Sequence, residues 1–212
     1  MCIRDSVYTE GITKITTKDI KYAKELGCDI KLLGVAKNTP TGIEVRVHPM
    51  LIPSSHPLAT VNDAFNAIFV HGDAVDDTMF YGRGAGELPT ASAIMGDVID
   101  SARNTRFHCN GRISCTCYKE LAIKHIDEIE SRYFLRLQVE DRPGALASIA
   151  SVFGNNNVSI AQIVQKNSIA GIAEIVVITD NVLERHFKDS VTILGSMFSI
   201  KEISSIIRVY SV

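Results

Sequence analysis

The spacing of apolar residues divides the chain into two patterned blocks separated by a polar join. Ile20, Ala23 and Leu26 recur at helical spacing over residues 17–26, with Thr16 or Thr17 as N-cap and Gly27 just past the end. Residues 30–36 read as a short buried strand, and residues 42–48 alternate strictly, as a half-buried strand does. Pro49, Pro53 and Pro57 punctuate a loop that leads into an apolar strand over residues 66–71. Gly72 and Asp73 turn the chain, and residues 76–81 return as the second arm of a hairpin. The run Gly82-Arg83-Gly84-Ala85-Gly86 then precedes a helix predicted from Pro89 to about Arg103. This block is α+β with a largely antiparallel sheet.

Residues 104–131 are mixed and polar, with a helical tendency over 118–129, and read as a connector. Beyond it the order is strand (133–139), helix (144–153), strand (159–165), strand (173–179), helix (183–197), strand (203–210). Leu146, Ile149, Ala150 and Phe153 supply the apolar face of the first of these helices. The order βαββαβ is the ferredoxin-like arrangement, with helices on one face of a four-stranded antiparallel sheet. The expected organisation is therefore a first domain over 1–104, a linker over 105–131 and a second domain over 132–212. Met1–Ser6 precede any recognisable element and are expected to be non-native.

Composition narrows the functional classes. A chain of 212 residues with 46% hydrophobic and 22% charged positions is globular and long enough for one large or two small domains. A formal charge of -2 gives no basic excess for nucleic acid or for an anionic membrane surface. No apolar run reaches the ~18 residues of a membrane helix, so a cytoplasmic protein without a membrane or nucleic-acid partner is expected. The 5 cysteines, unevenly spaced, read as free thiols of a reducing compartment. Cys115-Thr116-Cys117 lacks the spacing and the second pair that a zinc site needs. His48, His56 and His71 lack helical pair spacing and nearby carboxylates, so no metal site is expected.

Two turns carry candidate chemistry. In the first block, glycines between a strand and a helix suit a backbone approach to a polar ligand, with Thr90 and Ser92 in the helix's first turn. The dinucleotide fingerprint is not met, because Glu87 stands where a third glycine is required. A tight turn against the sheet explains this loop on its own. In the second block, Asp141-Arg142-Pro143-Gly144-Ala145-Leu146 sits where a strand hands over to a helix. The helix N-terminus suits a carboxylate and Asp141 suits an ammonium group, so one turn complements both ends of an amino acid. Helix capping by Asp141 is the competing explanation. Glu10 and Lys31 read as structural, at a domain edge and on a strand.

The βαββαβ order, the Asp141–Leu146 turn and Asn157-Val158-Ser159-Ile160 resemble an ACT domain, a sensing module of amino-acid metabolism. In that family two modules pair and an amino acid binds at their interface. The resemblance implies an effector site lined by Asp141, Gly144, Ala145 and Leu146, faced by Asn157 and Ile160. The first block resembles homoserine dehydrogenase, through Tyr8-Thr9-Glu10-Gly11-Ile12, Ile30-Lys31-Leu32-Leu33-Gly34, Val47-His48-Pro49 and Gly84-Ala85-Gly86-Glu87-Leu88-Pro89-Thr90. That family interconverts L-homoserine and L-aspartate 4-semialdehyde by hydride transfer with NAD(P), in threonine, methionine and isoleucine biosynthesis. The resemblance places Gly86 beside nicotinamide and substrate through its backbone, with Gly84, Ala85, Glu87 and Thr90 around it. The family's dinucleotide domain and its catalytic aspartate and lysine precede the matching region. The chain is thus expected to contain no catalytic residue, to be inactive alone, and to leave most NAD(P) contacts to the missing domain. A homo-oligomer with threonine as feedback effector is expected. A stand-alone amino-acid sensor and a purely structural dimerisation piece are the alternatives.

Overall fold

The Asp19 backbone N–H donates to the Thr16 hydroxyl, and the Thr16 backbone N–H donates to the Asp19 carboxylate at 2.9 Å. This reciprocal capping box starts α1, Thr17–Glu25, and Gly27 at φ +69 turns the chain away after it. The computed structural model describes residues 7–109 and 121–211. A two-residue strand, β1 (Tyr8–Thr9), precedes α1, and a long antiparallel hairpin of β2 (Cys28–Thr39) and β3 (Gly42–Pro53) follows it. The inward side of α1 differs from the expected one. Asp19 and Ala23 are buried, with Tyr22 and Leu26 beside them, whereas Ile20 is 49% exposed.

β3 corrects two further expectations. Its strand runs through Pro49 to Pro53, where a loop was expected. The Val47 carbonyl accepts from Glu10 N–H and the Leu51 carbonyl from Tyr210 N–H, both at 2.8 Å. By strand alternation Pro49 faces the same edge, in the gap between Thr9, at the end of β1, and Arg208, near the end of the chain's last strand. No partner there needs the N–H that proline lacks. The alternation over 42–48 is real, but its buried set is Glu44, Arg46 and His48, while Ile43, Val45 and Val47 are half-buried. β2 is likewise longer and more open than the short buried strand expected, and among the described residues it pairs with β3 alone.

The second patterned block folds in the expected order. It comprises β6 (Glu130–Glu140), α3 (Ala145–Asn155), β7 (Ile160–Ile169), β8 (Ile172–Thr179), α4 (Glu184–Ser196) and β10 (Ile200–Val209). A short β9 (Val182–Leu183) pairs with the start of β6 and replaces the expected first residues of the last helix. The four strands lie in the order β10-β6-β8-β7, all antiparallel, as the ferredoxin-like arrangement requires. Tyr133, Leu135, Leu137 and Val139 alternate onto one face, against Ala145, Ile149 and Phe153 of α3 and Phe187 and Leu194 of α4. Leu146 and Ala150, expected on that inward face, are exposed; the α3 face that packs runs through Ala145, Ile149 and Phe153.

β10 also pairs in parallel with β3, through Arg208 with Met50 and Val209 with Leu51. The two patterned blocks therefore share one mixed sheet. Its opposite face carries Phe134, Val176 and Ile207, covered by Ala23 of α1 and Leu51. Met1–Pro53 and Leu121–Val212 together form one compact unit, and Ser54–Glu120 forms another. The described end of the connector belongs to the first unit and is not an α-helix. Ile43 N–H donates to the Ala122 carbonyl and Lys124 N–H to the Ile43 carbonyl, both at 2.9 Å. Gly42, at φ +143, makes this possible, because a Cβ there would lie 2.6 Å from the Ala122 oxygen.

The second unit holds β4 (Phe65–Gly72), β5 (Asp76–Arg83) and α2 (Glu87–Arg106). β4 and β5 form a two-stranded antiparallel ribbon, with Asp76 in the left-handed region at φ +50 closing its tip. The 20-residue α2 has no buried residue. Among the described residues no helix is long and apolar enough to cross a membrane. Met1–Ser6 and the Cys115-Thr116-Cys117 pair lie outside the described residues.

Candidate functional site

The glycine loop lies between β5 and α2, as its composition predicts. Gly84 N–H donates to the Ala64 carbonyl at 3.2 Å, and a Cβ on Gly84 would collide with the Asn66 side chain. Gly86 is the N-cap of α2, at φ +124 and ψ 150, a backbone conformation that glycine alone adopts readily. It makes no side-chain cap, so the first N–H groups of α2 face outward unsatisfied by a capping side chain. The Thr90 hydroxyl donates to the Gly86 carbonyl at 2.7 Å and so fixes the loop instead of reaching out toward a ligand. Glu87 opens the first turn of the helix, and Gly84, Ala85, Gly86 and Glu87 are all exposed. Such a loop can present backbone N–H groups, and little else, to a flat polar group or an anion.

The second turn is held by the β7–β8 hairpin, where Asp141 N–H donates to the Gly171 carbonyl at 2.9 Å. Gly144 caps α3 in the left-handed region at φ +84, again without a side-chain cap. Asp141, Gly144, Ala145 and Leu146 are therefore neighbours at one end of the sheet. Asn157 and Ile160 are not. They follow the far end of α3, whose 11 residues extend about 16 Å. Ile160 pairs with Thr179 at one end of β8, while Glu140, just before Asp141, pairs with Ile172 at the other. Within one chain the six expected effector residues form two groups at opposite ends of the module.

Homoserine dehydrogenase is the family whose profile matches residues 2–99, and the ACT domain profile matches residues 133–195. The chain is 42% identical over 210 residues to the homoserine dehydrogenase of Neisseria gonorrhoeae, covering 96% of this chain and 48% of that protein. It is 42% identical over 209 residues to that of Corynebacterium glutamicum, covering 96% and 46%. A crystal structure of a homoserine dehydrogenase from Thiobacillus denitrificans superposes with a TM-score of 0.89 at 35% identity, covering 98% of this chain and 48% of that one. The chain belongs to the homoserine dehydrogenase family. It spans about half the length of the curated relatives it matches. The family assignment covers both blocks and agrees with the mixed α+β fold.

Two buried polar clusters that the sequence reading passed over join the homoserine dehydrogenase block to the ACT block. In the first, Arg208 of β10 donates to both oxygens of Glu184, at 2.7 and 3.3 Å, and to Glu10 at 3.1 Å. The Tyr133 hydroxyl also bonds Glu184, and the Arg208 guanidinium lies over the Tyr8 ring at 4.7 Å. Arg46 donates to the Ser131 hydroxyl at 2.7 Å. Burial, together with the Arg208 and Arg46 charges, pushes the His48 imidazole down to about 4, against a weaker opposing bond to the Pro49 carbonyl. Glu10, expected at a domain edge, is thus part of an ion-paired join.

In the second cluster, Arg136 of β6 donates to Asp19 of α1 at 3.0 Å, to Glu174 of β8 at 3.1 Å and to the Thr16 hydroxyl at 3.3 Å. Burial opposes ionisation of Asp19, but the bonds from Thr16 and Arg136 outweigh it and hold the carboxyl below its usual range. The available signal is an arginine flanked by apolar residues within a strand, Leu135-Arg136-Leu137 and Ile207-Arg208-Val209. The three histidines do not assemble. His48 is buried on β3, His56 accepts from Leu58 N–H, and His71 pairs with Asp77 on the ribbon. Among the described residues no group of three or more His, Cys, Asp or Glu is placed to hold a metal.

Proposed function

We propose that this chain is the carboxy-terminal part of a regulated homoserine dehydrogenase. The whole protein interconverts L-homoserine and L-aspartate 4-semialdehyde in the cytoplasm, in threonine, methionine and isoleucine biosynthesis. The observation that carries this reading is the order of the two family matches, residues 2–99 then 133–195, within a chain covering 48% of its relative. In this reading residues 1–104 are the later part of the substrate and dimerisation domain, 105–131 a linker, and 132–212 the regulatory domain.

NAD(P), held mainly by the amino-terminal half of the whole protein, would supply the hydride acceptor or donor. Two features of the loop fit a cofactor contact. Gly84 and Gly86 carry no Cβ, and α2 begins without a capping side chain. The Gly86 backbone would border the nicotinamide and substrate, Gly84, Ala85 and Glu87 would line the approach, and Thr90 holds the Gly86 carbonyl in place. No residue of this chain transfers a proton in the reaction. At the regulatory end an amino acid, threonine, sits against Asp141, Gly144, Ala145 and Leu146. Asn157 and Ile160 come from a second module, since one chain separates the two groups. β7, which ends the strand order of the sheet, is the natural edge for that pairing.

A chimera tests the catalytic reading. The amino-terminal half of the Neisseria gonorrhoeae relative, fused ahead of this chain, is expected to oxidise L-homoserine with NADP, and the 212-residue chain alone to show no turnover. A folded but inactive chimera, or turnover by the chain alone, overturns it. Threonine binding to the full chain, weakened about tenfold or more by Asp141→Asn, tests the regulatory reading.

A further inference from the structure

The face of the ACT sheet opposite α3 and α4 has an apolar half and a polar half. Phe134, Val176 and Ile207 lie under α1. Beyond the N-terminus of α1, an open cavity of ≈ 500 Å³ is lined by Thr16, Lys18, Arg136, Gln138, Glu202 and Ser204. Thr16 and Lys18 lie in the region matched by homoserine dehydrogenase, Arg136 and Gln138 in the region matched by the ACT domain, and Glu202 and Ser204 on β10 just beyond it, so the cavity straddles the join between the two blocks. Junctions of this kind are favoured places for small ligands.

β10 is built irregularly here. Val139 pairs with Ile200, Gln138 with Glu202, Leu137 with Ile203 and Arg136 with Ser205, so Lys201 and Ser204 have no partner in the ladder. Two bulges in one short stretch break the inward-outward alternation. They keep Ile200 and Ile203 in the core beneath α3 and α4 while setting Glu202 and Ser204 on the cavity wall. Bulges disrupt hydrogen bonding and recur next to binding sites, where they re-aim side chains.

The charges are also arranged in space. Arg136, 4% exposed, and Lys18 stand at the α1 end, with the Thr16 hydroxyl and the helix N-terminus beside them. Glu202 stands at the other end, opposite Gln138 and next to Ser204. Arg136 uses one N–H of each nitrogen on Asp19, Glu174 and Thr16, which leaves two of a guanidinium's five N–H groups for a further acceptor.

We propose that this cavity is a second binding site for a free α-amino acid, separate from the Asp141–Leu146 turn. The ligand carboxylate is held by the two remaining N–H groups of Arg136 and by Lys18, and its ammonium group by Glu202, with Ser204 as a neutral partner; the Thr16 hydroxyl and the Gln138 amide already donate to Asp19 and Glu174, both at 2.6 Å. Occupancy ties α1 to β6 and β10, so it links the homoserine dehydrogenase block to the regulatory sheet. No covalent step is involved.

Nitrogen-15 correlation spectra of the full chain test this, with glycine, L-aspartate and L-threonine as probes and acetate as the anion-only control. At least one amino acid is expected to move the Gln138 side-chain amide and the Ser204 backbone amide in a saturable way, while acetate does not saturate them at the same concentration. Glu202→Gln, an exposed change that leaves the core untouched, weakens that response about tenfold or more. Asp141→Asn leaves it unchanged. The proposal is overturned if no probe shifts these amides, if acetate competes as well as the amino acids, or if Glu202→Gln has no effect. It is overturned equally if the response disappears with Asp141→Asn, which would assign the binding to the turn. Activity of the chimera is independent of every one of these outcomes.

Discussion

The two compact units use similar apolar patterns and reach opposite results. In the larger unit, Leu135, Leu137 and Val139 on β6 alternate inward and are fully buried against α3 and α4. In the smaller unit, Ile68 and Phe80 face each other across the ribbon and both remain exposed. α2 carries Leu88, Met95, Val98 and Ile99 over its turns, yet Leu88 is 80% exposed. The difference lies in what the pattern meets. A strand buries its apolar face only where another layer exists, and a two-stranded ribbon is marginal by itself. The exposed apolar surface of the smaller unit is large for a free-standing protein, and it fits a region whose relatives are about twice as long.

The largest test of that contrast is a pair of truncations, one in each unit. Phe153 is fully buried in α3. Phe153→Ala should destabilise the main urea transition, followed by circular dichroism, by about 3–5 kcal/mol. Val98→Ala on α2 should move it by less than about 0.5 kcal/mol, because no packed neighbour is lost. Comparable effects would mean that α2 is covered in solution, and the contrast would collapse.

A smaller effect is expected from acid. His48 titrates near 4 in the folded chain, well below the ~6.5 of an accessible imidazole. The unfolded chain therefore binds a proton first as pH falls. The stability that depends on neutral His48 is complete above ~6.5 and is lost progressively toward 4, by up to about 3 kcal/mol. His48→Gln should flatten that part of the pH–stability profile, whereas His71→Gln on the exposed ribbon should leave it unchanged. An identical slope in wild type and His48→Gln would remove His48 from the account.

Element type and order were legible in the sequence because helical and strand periodicities differ and the turns carry Gly, Asn and Pro. An N-cap at Thr16 or Thr17 and the βαββαβ order follow from local rules; the structure settles the cap on Thr16. What failed was the choice of face. On β3 the alternation is visible, but Glu44, Arg46 and His48 are the buried set, since Lys124, Ser131 and Arg208 come from distant parts of the chain to meet that face. Pro49 signals a break in the sequence because the gap between β1 and β10 that accommodates it is a tertiary feature. The glycine loop and the Asp141–Leu146 turn were legible as backbone devices. The Arg136 cavity was not, because its walls come from α1, β6 and β10 and its bulges leave no mark in composition.

The smallest test compares the two helix-capping glycines. Gly144 lies at φ +84 with nothing within 4 Å of a built Cβ, so Gly144→Ala meets backbone strain alone, about 1–2 kcal/mol. Gly86 lies at φ +124, where its Cβ would also approach the Pro89 ring at 3.3 Å, so the local strain of Gly86→Ala is greater. Yet Gly144 starts a helix whose Ile149 and Phe153 are core, whereas α2 buries nothing. Strain destabilises the main transition only where the strained element unfolds with the core. Gly144→Ala should therefore lower the urea midpoint of that transition. Gly86→Ala should leave the midpoint in place and reduce only the helical signal contributed by α2. A midpoint shift for Gly86→Ala equal to or larger than that for Gly144→Ala would show that the two units unfold as one, and that α2 is held by contacts its exposure does not reveal.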